Sequence, residues 1–283
     1  GIPDAPAADD LYGTPDGWRG VTWGLVEAWR NWMLQQGYAV GSVNVRLSTV
    51  KTYVKLAAKA GALEAQDLAM VRTVGGYSHK EGLRIDERRE LTRRGDKKAD
   101  AVSITPAQAK RLKKQPDSPQ GRRDAVLVAL LLDHGLRVSE VAGLKVTDVD
   151  LAHGTLTFYR PKVNITQTHR LTRASKAALK AYIEAGDAPA VGPLLRASTG
   201  AERLTHAGVS TRNLSERVRY LGSLAGIDGL SAHDCRHYWA TTAARNGTAL
   251  DRLQDAGGWA SPAMPLRYVE RAAVANAGVM LDE

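Results

Sequence analysis

A short run of basic side chains, a tryptophan and a late tyrosine follow one another near the end of the chain. The run is His-Asp-Cys-Arg-His at 233–237, and Tyr268 comes nine positions after Trp259, which follows two glycines. An enzyme that attacks a phosphodiester with a side-chain hydroxyl needs a nucleophile, cations around the non-bridging oxygens and a proton donor for the leaving oxygen. These residue types are all present, so the segment predicts phosphate chemistry that needs no metal.

Arg137 is a further candidate phosphate ligand. It follows an apolar run and Gly135, so its guanidinium would be held just beyond the end of a core helix. Arginine offers a planar fork that matches two phosphate oxygens, and Glu140, three residues further on, is placed to orient it. A surface arginine with an ordinary helical ion-pair partner is the alternative interpretation.

His233 and Arg236 lie three residues apart and share one face of a helix, with His237 at the next position. The N-terminal end of that helix would favour a bound anion through its dipole. Alternatively, His233 caps the helix and Arg236 is solvated or paired in the interior. Tyr268 taken alone is also consistent with a half-buried aromatic residue, and Lys162, at a turn between two predicted strands, with a solvated lysine.

Hydrophobic periodicity and capping residues predict the elements that must position these side chains. Before the linker the pattern is helical, with helices at 22–36, from a Ser42 cap to Gly61, and at 64–72. Later, Thr105 and Pro106 predict a helix start. The remaining predictions are strands at 155–159 and 168–172 and helices at 123–134, 174–185, 210–225, 234–246, 249–256 and 262–273. The fold class is therefore mainly α with a small antiparallel β-sheet.

Composition along the chain predicts two domains joined by a basic linker. The segments are a flexible N-terminal segment at 1–15, a helical domain at 16–83, a linker at 84–103 and a second domain at 104–283. One helix face and the linker carry candidate DNA-binding cations, which are Arg46, Lys51, Lys55, Arg93 and Arg94. A solvated hinge whose charges serve only solubility is the alternative for the linker.

The chain of 283 residues carries a formal net charge of +9. Such a chain gains free energy from counterion release on a polyanion, so nucleic acid is the first expected partner and an anionic membrane surface the second. The single cysteine, Cys235, excludes an internal disulfide and a cysteine-rich zinc site, which indicates a reducing compartment. The longest apolar run, 125–132, is too short to span a bilayer and no signal-peptide pattern is present, so a cytoplasmic location is expected.

Taken together and in order, these residues resemble the tyrosine recombinase, or phage-type integrase, family. The resemblance covers nearly the whole chain and rests on three motifs that match in order and spacing. These motifs are Gly135-Leu-Arg137-Val-Ser-Glu140, His233-x-x-Arg236-His237, and Gly258-Trp259 with Tyr268. The resemblance implies a helical core-binding domain and an α+β tyrosine-recombinase catalytic domain that together clamp duplex DNA. The implied reaction is site-specific DNA recombination without metal, ATP or any other cofactor.

The resemblance also implies roles for the phosphate-binding and nucleophilic residues. Arg137 and Arg236 would bind the scissile phosphate, with Glu140 and His237 in support. Tyr268 would attack the phosphate to give a 3′-phosphotyrosine, and the freed 5′-hydroxyl would leave. The energy of the broken bond would be kept in the protein–DNA link.

Proton transfer is implied for other residues. Lys162 would give a proton to the leaving oxygen, and His233 would serve as acid, base or phosphate ligand. Trp259 would stand where many members have histidine, and because an indole cannot transfer a proton, acid–base work would rest on Lys162 and His233. The segment around Lys162 lacks a glycine-rich turn, so Arg160 and Arg170 are the alternative cations.

The implied partners are double-stranded DNA and further copies of this chain, forming a tetramer on paired sites through the C-terminal tail. Accessory DNA-bending proteins are a further candidate, and no membrane partner is expected. Two alternatives stay open. One is a type IB topoisomerase-like enzyme, which uses similar residues without paired sites, and the other is a non-catalytic DNA-binding protein of the same fold in which Tyr268 is structural.

Overall fold

The computed structural model describes residues 15–88, 102–199 and 203–272. The chain forms two compact units, Gly1–Lys97 and Lys98–Glu283, each with its own hydrophobic core. The predicted flexible start up to residue 14, most of the predicted linker and the tail from residue 273 lie outside the described residues. Within the described ranges, no helix has both the length and the apolar character needed to cross a membrane.

The described part of the N-terminal unit is helical. After a short 3-10 helix at Pro15–Gly20, its helices are α1 (Trp23–Gln35), α2 (Val40–Lys59), α3 (Ala65–Thr73) and α4 (His79–Arg88). The core brings together Val26 from α1, Val54 from α2 and Val71 from α3. The helices predicted at 22–36 and 64–72 are therefore confirmed, with boundaries that differ by about one residue.

Two features of this unit differ from the prediction. Helix α2 begins at Val40 with Ala39 as its N-cap, so the predicted Ser42 cap is wrong. Burial of Val40 stabilises the first turn without a side-chain cap. Helix α4 is absent from the predicted set and overlaps the predicted linker. It begins with a capping box, in which the Ser78 N–H donates to Glu81 Oε2 at 2.8 Å and the Glu81 N–H donates to Ser78 Oγ at 3.3 Å.

The second unit is helix-rich with two small sheets. Its helices are α5 (Pro106–Lys113), α6 (Pro119–His134), α7 (Val138–Gly143), α8 (Arg173–Glu184), α9 (Thr211–Leu224), α10 (Ala232–Arg245), α11 (Leu250–Gly257) and α12 (Ala263–Ala272). Its strands are β1 (Val149–Asp150), β2 (Thr155–Arg160), β3 (Ile165–Arg170), β4 (Arg196–Ser198) and β5 (Leu204–Gly208). The predicted fold class is confirmed.

The predicted antiparallel sheet is present and has the order β1-β2-β3. Strand β2 alternates as a half-buried strand should, so Leu156, Phe158 and Arg160 all face the interior. A second pair, β4 with β5, lies between the helices predicted at 174–185 and 210–225, in a segment where no strand is predicted. These strands are short, and the Arg196 side chain holds them by donating to the Asp187 carbonyl at 3.0 Å and to carbonyls of β5.

Helix α6 forms the centre of the second unit. Leu127, Leu130 and Leu131 are fully buried, and they pack with residues of the surrounding helices and of β2. The helix begins before the predicted residue 123, because Ser118 Oγ accepts a hydrogen bond from the Gly121 N–H at 3.1 Å. Its end at Gly135 fixes where the chain turns towards Arg137.

Candidate active site

The turn that presents Arg137 requires a glycine. Gly135 has φ of +59°, and a Cβ built there would lie 2.2 Å from Cε3 of Trp239. Arg137 then serves as the N-cap residue of α7. The backbone and the side chain of this arginine bind the same carboxylate. The backbone N–H donates to Glu140 Oε2 at 2.8 Å, and Nη1 of the guanidinium donates to Glu140 Oε1 at 2.7 Å. The predicted orienting partner is therefore in place.

Helix α10 carries the His-x-x-Arg motif and begins with a capping box. Ser231 Oγ accepts from the Asp234 N–H, and Asp234 Oδ2 accepts from the Ser231 N–H at 2.8 Å. The cap is therefore Ser231, and the alternative in which His233 caps the helix is wrong. The helix leaves His233 exposed and His237 half-buried, with their ring centroids 4.3 Å apart.

Arg236 points into the interior and is only 3% exposed. Its guanidinium donates to the carbonyls of Gly135 and Gly257 and lies over the Trp259 ring, 4.6 Å from the centroid. Burial, together with repulsion from Arg137 and other nearby guanidinium charge, lowers the pKa of Arg236 to about 10. It still carries its proton at neutral pH and is the most deeply placed of the predicted phosphate ligands.

Three arginines converge on the C-terminal end of α11. Arg160 donates to the carbonyls of Ala256 and Gly257, Arg236 also donates to Gly257, and Nη2 of Arg137 lies 3.5 Å from the Gly258 carbonyl. These carbonyls form the negative end of the helix dipole, so they partly offset the collected positive charge.

The cluster carries a net positive charge. In the described part of the chain, Glu140 is the carboxylate that ion-pairs with these guanidiniums, and it binds Arg137 and Arg160. Asp255 acts on Arg160 only as a weaker attraction. Three guanidinium groups and one carboxylate give a charge of 3 − 1 = +2. Such a site is complementary to a phosphate group.

Tyr268 lies beside this cluster on α12. Its ring centroid is 5.5 Å from that of Trp259 and 5.2 Å from that of His237. Trp259 therefore contacts both Tyr268 and the guanidinium of Arg236. The tyrosine side chain is well covered, with 2% of its surface exposed. The structure thus brings the predicted nucleophile and both predicted phosphate ligands to one place.

The hairpin cations separate from one another. Lys162 lies exposed in the turn between β2 and β3, and Arg170 is exposed at the end of β3. Arg160, by contrast, is fully buried and bound into the cluster. Sequence reasoning names Arg160 only as an alternative for Lys162. The alternation of β2 is the signal that could have placed it on the interior face.

The predicted DNA-binding cations of the N-terminal unit lie on α2. Arg46 and Lys55 are exposed, and the Arg46 guanidinium lies over the Tyr38 ring at 4.6 Å. Lys51 is half-buried and donates to the Arg72 carbonyl at 3.1 Å, at the end of α3. Arg93 and Arg94 lie outside the described residues. The described part of the chain contains no group of three or more His, Cys, Asp or Glu side chains that could hold a metal ion.

Solved structures with related folds are tyrosine recombinases. A lambda integrase dimer bound to a COC′ core site aligns with a TM-score of 0.61 at 16% identity, covering 100% of this chain and 86% of that one. A XerA recombinase crystal structure aligns with a TM-score of 0.52 at 22% identity, covering 92% and 81%. At these identities the likeness establishes the fold.

Curated relatives and a family model give the closer link. Tyrosine recombinase XerD of Neisseria meningitidis is 30% identical over 196 residues, which cover 68% of this chain and 66% of that protein. Tyrosine recombinase XerC of Lactobacillus delbrueckii subsp. bulgaricus is 31% identical over 190 residues, which cover 59% and 62%. The chain thus spans about two thirds of these relatives. The phage integrase family model matches residues 103–274, more than half of the chain. The chain therefore belongs to the phage integrase family of tyrosine recombinases.

Proposed function

We propose that this protein is a site-specific DNA recombinase that cleaves and rejoins DNA strands through a 3′-phosphotyrosine intermediate. One observation carries the proposal. Arg137, Arg236, Trp259 and Tyr268 come from four separate parts of the chain and meet at the end of α11. A cationic site with a phenol beside it matches the needs of phosphodiester attack.

The arginines are suited to stabilise the transition state. Negative charge grows on the non-bridging oxygens as the nucleophile adds to phosphorus, and Arg137 and Arg236 supply fixed donors for those oxygens. Their positions are set before DNA binds, by Glu140 for one and by two backbone carbonyls for the other. Donors that are fixed in advance need no reorganisation during the reaction. Trp259 adds an indole N–H donor and packs beneath Arg236.

In the cleavage step, the phenolic oxygen of Tyr268 forms a bond to phosphorus while the bond to the 5′ oxygen breaks. The phenol proton passes to His233, and Lys162 gives a proton to the 5′ oxygen, which leaves as a hydroxyl group. Attack by a 5′-hydroxyl from another strand then reverses the chemistry and frees Tyr268. Since the phosphotyrosine link keeps the energy of the original bond, the cycle needs no ATP.

The burial of Tyr268 adds a requirement to this scheme. With 2% of its surface exposed, the side chain must be uncovered before its oxygen can reach a phosphate. The reaction therefore includes a shift of α12 or of the tyrosine side chain. Binding to a suitable DNA site would favour this shift. A test of the reaction should therefore use a large pool of different DNA sequences, so that the pool contains such a site.

A covalent-capture experiment tests the proposal. The protein is incubated with duplexes that carry a random central segment and a nick, so that the short cleaved fragment diffuses away and the adduct accumulates. We expect an SDS-resistant, protease-sensitive protein–DNA adduct that is lost in Tyr268→Phe. The matched control is Tyr220→Phe, because Tyr220 is half exposed on α9 and far from this chemistry in sequence. Sequencing the captured DNA would give the recognition site.

The other outcomes separate the alternatives. Tight binding with no adduct, or an adduct that persists in Tyr268→Phe, contradicts the proposal, and the former supports a non-catalytic DNA-binding protein. An adduct accompanied by relaxation of supercoiled plasmid, but without exchange between two captured sites, supports the topoisomerase-like reaction.

The proposal includes the partners. Double-stranded DNA would contact the exposed cations of α2 and the linker arginines, and the chain would act on DNA in the cytoplasm as a tetramer on paired sites, joined through its tail. Accessory DNA-bending proteins would assist where the two sites must be brought together. Sedimentation with DNA that carries two captured sites tests the assembly, and the absence of any species larger than a dimer would contradict it.

A further inference from the structure

Arg160 is a charged side chain at a position where β2 otherwise places apolar residues. Leu156 and Phe158 precede it on the interior face of the strand, and Arg160 has no exposed surface. A guanidinium that is removed from water in this way needs compensating acceptors around it. In this structure its guanidinium presents no surface that a DNA phosphate could contact.

The acceptors come from three different elements. Nη1 of Arg160 lies 3.2 Å from both carboxylate oxygens of Glu140 and 3.1 Å from the Gly257 carbonyl, and Nη2 donates to the Ala256 carbonyl at 2.8 Å. Nε donates to Gln167 Oε1 on β3. The guanidinium carbon lies 4.8 Å from the centroid of the Phe158 ring. The planar fork therefore joins α7, the end of α11 and the hairpin.

Two of these acceptors are shared with the proposed phosphate ligands. Glu140 Oε1 accepts from Arg137 as well as from Arg160. The Gly257 carbonyl accepts from Arg236 as well as from Arg160. Each proposed phosphate ligand is thus linked to Arg160 through one shared hydrogen-bond acceptor. Movement of the Arg160 guanidinium would change the support of both.

The backbone is shaped around this side chain. Gly258 has φ of +57°, and a Cβ built there would lie 2.5 Å from Cδ of Arg160. The glycine therefore lets the end of α11 approach the arginine closely. The same turn leads into Trp259, which contacts both Arg236 and Tyr268.

We propose that Arg160 is a positioning residue. It sets the distance between Arg137 and Arg236, so that their guanidinium groups can bind the two sides of one phosphate. This inference rests on the proposed function. Burial lowers the pKa of Arg160, whereas Glu140 favours its charged form and Arg137 opposes it. A lysine at this position would keep the charge but could not reach Glu140 and two carbonyls in one plane.

The test is the rate of adduct formation by Arg160→Lys on a captured site, under single-turnover conditions. We expect DNA affinity to stay at the wild-type value, because the residue has no exposed surface. The rate should fall between about 10- and 100-fold, since small displacements of a catalytic group cost this much. Arg245→Lys, at an exposed arginine near the end of α10, is the matched control and should react at the wild-type rate.

A second substrate separates positioning from general damage to the fold. In a methylphosphonate, one non-bridging oxygen of the scissile group is replaced by methyl, so the group is neutral and depends less on two clamped arginines. The ratio of wild-type to Arg160→Lys rates should then move towards one. A defect of equal size on both substrates would overturn the inference and indicate a structural role only.

A milder variant covers the case in which Arg160→Lys does not fold. Gln167→Met removes the acceptor of Nε together with the hydrogen bond that Gln167 Nε2 donates to the Asp255 carbonyl, and leaves the guanidinium in place. We expect a smaller rate loss that is likewise relieved on the methylphosphonate. If Arg160→Lys and Gln167→Met both react at the wild-type rate, the inference is wrong while the proposed function stands. If the wild type gives no adduct on any DNA, both are wrong.

Discussion

Arg160 and Lys162 lie two positions apart in one hairpin, yet their surroundings are opposite. Arg160 is fully buried and bound by a carboxylate, an amide and two carbonyls, whereas Lys162 is exposed in the turn. The first belongs to a region that holds charge in a fixed place, and the second to a region that can reach a ligand. A site for phosphoryl transfer needs both. Fixed charged groups stabilise the transition state, whereas proton transfer needs a side chain that can extend to the leaving oxygen.

The same division separates the histidines. His233 is exposed at the start of α10 and is proposed to accept a proton. His134, at the end of α6, is 3% exposed, and its Nε2 lies 2.9 Å from Ser175 Oγ. The buried imidazole belongs to the framework that presents Arg137, because α6 leads directly into that turn. Position in the fold, and not residue type, therefore separates framework from chemistry.

The largest effect should come from Arg236→Lys, which breaks the fixed region at its centre. The ammonium group cannot replace a fork that binds the Gly135 and Gly257 carbonyls and, in the proposed reaction, a phosphate as well. We expect adduct formation to slow by about 1,000-fold and unfolding free energy to fall by about 2 kcal/mol. Quenched-flow adduct assays and urea denaturation measure the two changes.

The control for this variant is Arg245→Lys, at the exposed end of the same helix. It should leave both quantities at wild-type values. A rate loss of less than about tenfold in Arg236→Lys would mean that the buried guanidinium does not contact the transition state.

Lys162→Ala should have the next largest effect, and it should be confined to chemistry. We expect adduct formation to slow by about 100-fold, while unfolding free energy changes by less than about 0.5 kcal/mol because the side chain is exposed. A substrate with sulfur in place of the 5′ bridging oxygen should restore the rate, since a thiolate leaves without a proton. The rates on both substrates are compared in one assay.

The choice between hairpin cations is settled by the same substrate. Lys180→Ala, an exposed lysine on α8, is the control and should behave as wild type. If Arg170→Ala shows the loss and the rescue by sulfur, and Lys162→Ala does not, then the proton donor is Arg170. In that case the division between a fixed region and an exposed one still holds, but a different exposed residue does the chemistry.

Most of the helices and the motif order could be predicted from the sequence, because their signals are local. Thr105 starts α5 as predicted, through a capping box with Gln108, and Gly135 ends α6 as predicted. The small strands β4 and β5 could not be predicted from alternation. They are held by the Arg196 side chain, which binds the carbonyls of Thr205 on β5 and of Asp187, and the sequence does not indicate which carbonyls that side chain reaches.

The role of Arg160 was out of reach for a related reason. Alternation in β2 assigns it to the interior face. Arginine is seldom fully buried, however, and the sequence of the strand does not indicate which acceptors would bind it there. Its carbonyl partners, Ala256 and Gly257, lie 96 and 97 positions away along the chain. Motif spacing identifies the candidate catalytic residues. The residues that support them can be identified only from the folded structure, because their partners are backbone groups far away in the sequence.

The smallest expected effect is a change in the pH dependence of stability, which tests the buried framework around His134. Burial lowers the pKa of His134 to about 4, with Asp133 favouring and Lys113 opposing its charged form. The neighbouring His169, 5.8 Å away between ring centroids, has its own pKa lowered to about 3, chiefly by burial. Since the unfolded imidazole titrates near 6.5, the unfolded state binds more protons below that pH. Stability from His134 is therefore complete above about pH 6.5 and is lost as the pH falls towards 4.

For His134 alone this linkage amounts to about 2 kcal/mol between pH 7.5 and pH 5. His134→Gln can keep the hydrogen bond to Ser175 but does not titrate, so urea denaturation of the full chain should show a smaller loss of stability at pH 5 than in the wild type. His206→Gln, at an exposed position, should leave the pH dependence unchanged. If His134→Gln loses as much stability as the wild type, the buried imidazole does not resist protonation. The distinction between a framework histidine and His233, the proposed proton acceptor, would then rest only on where the two lie in the fold.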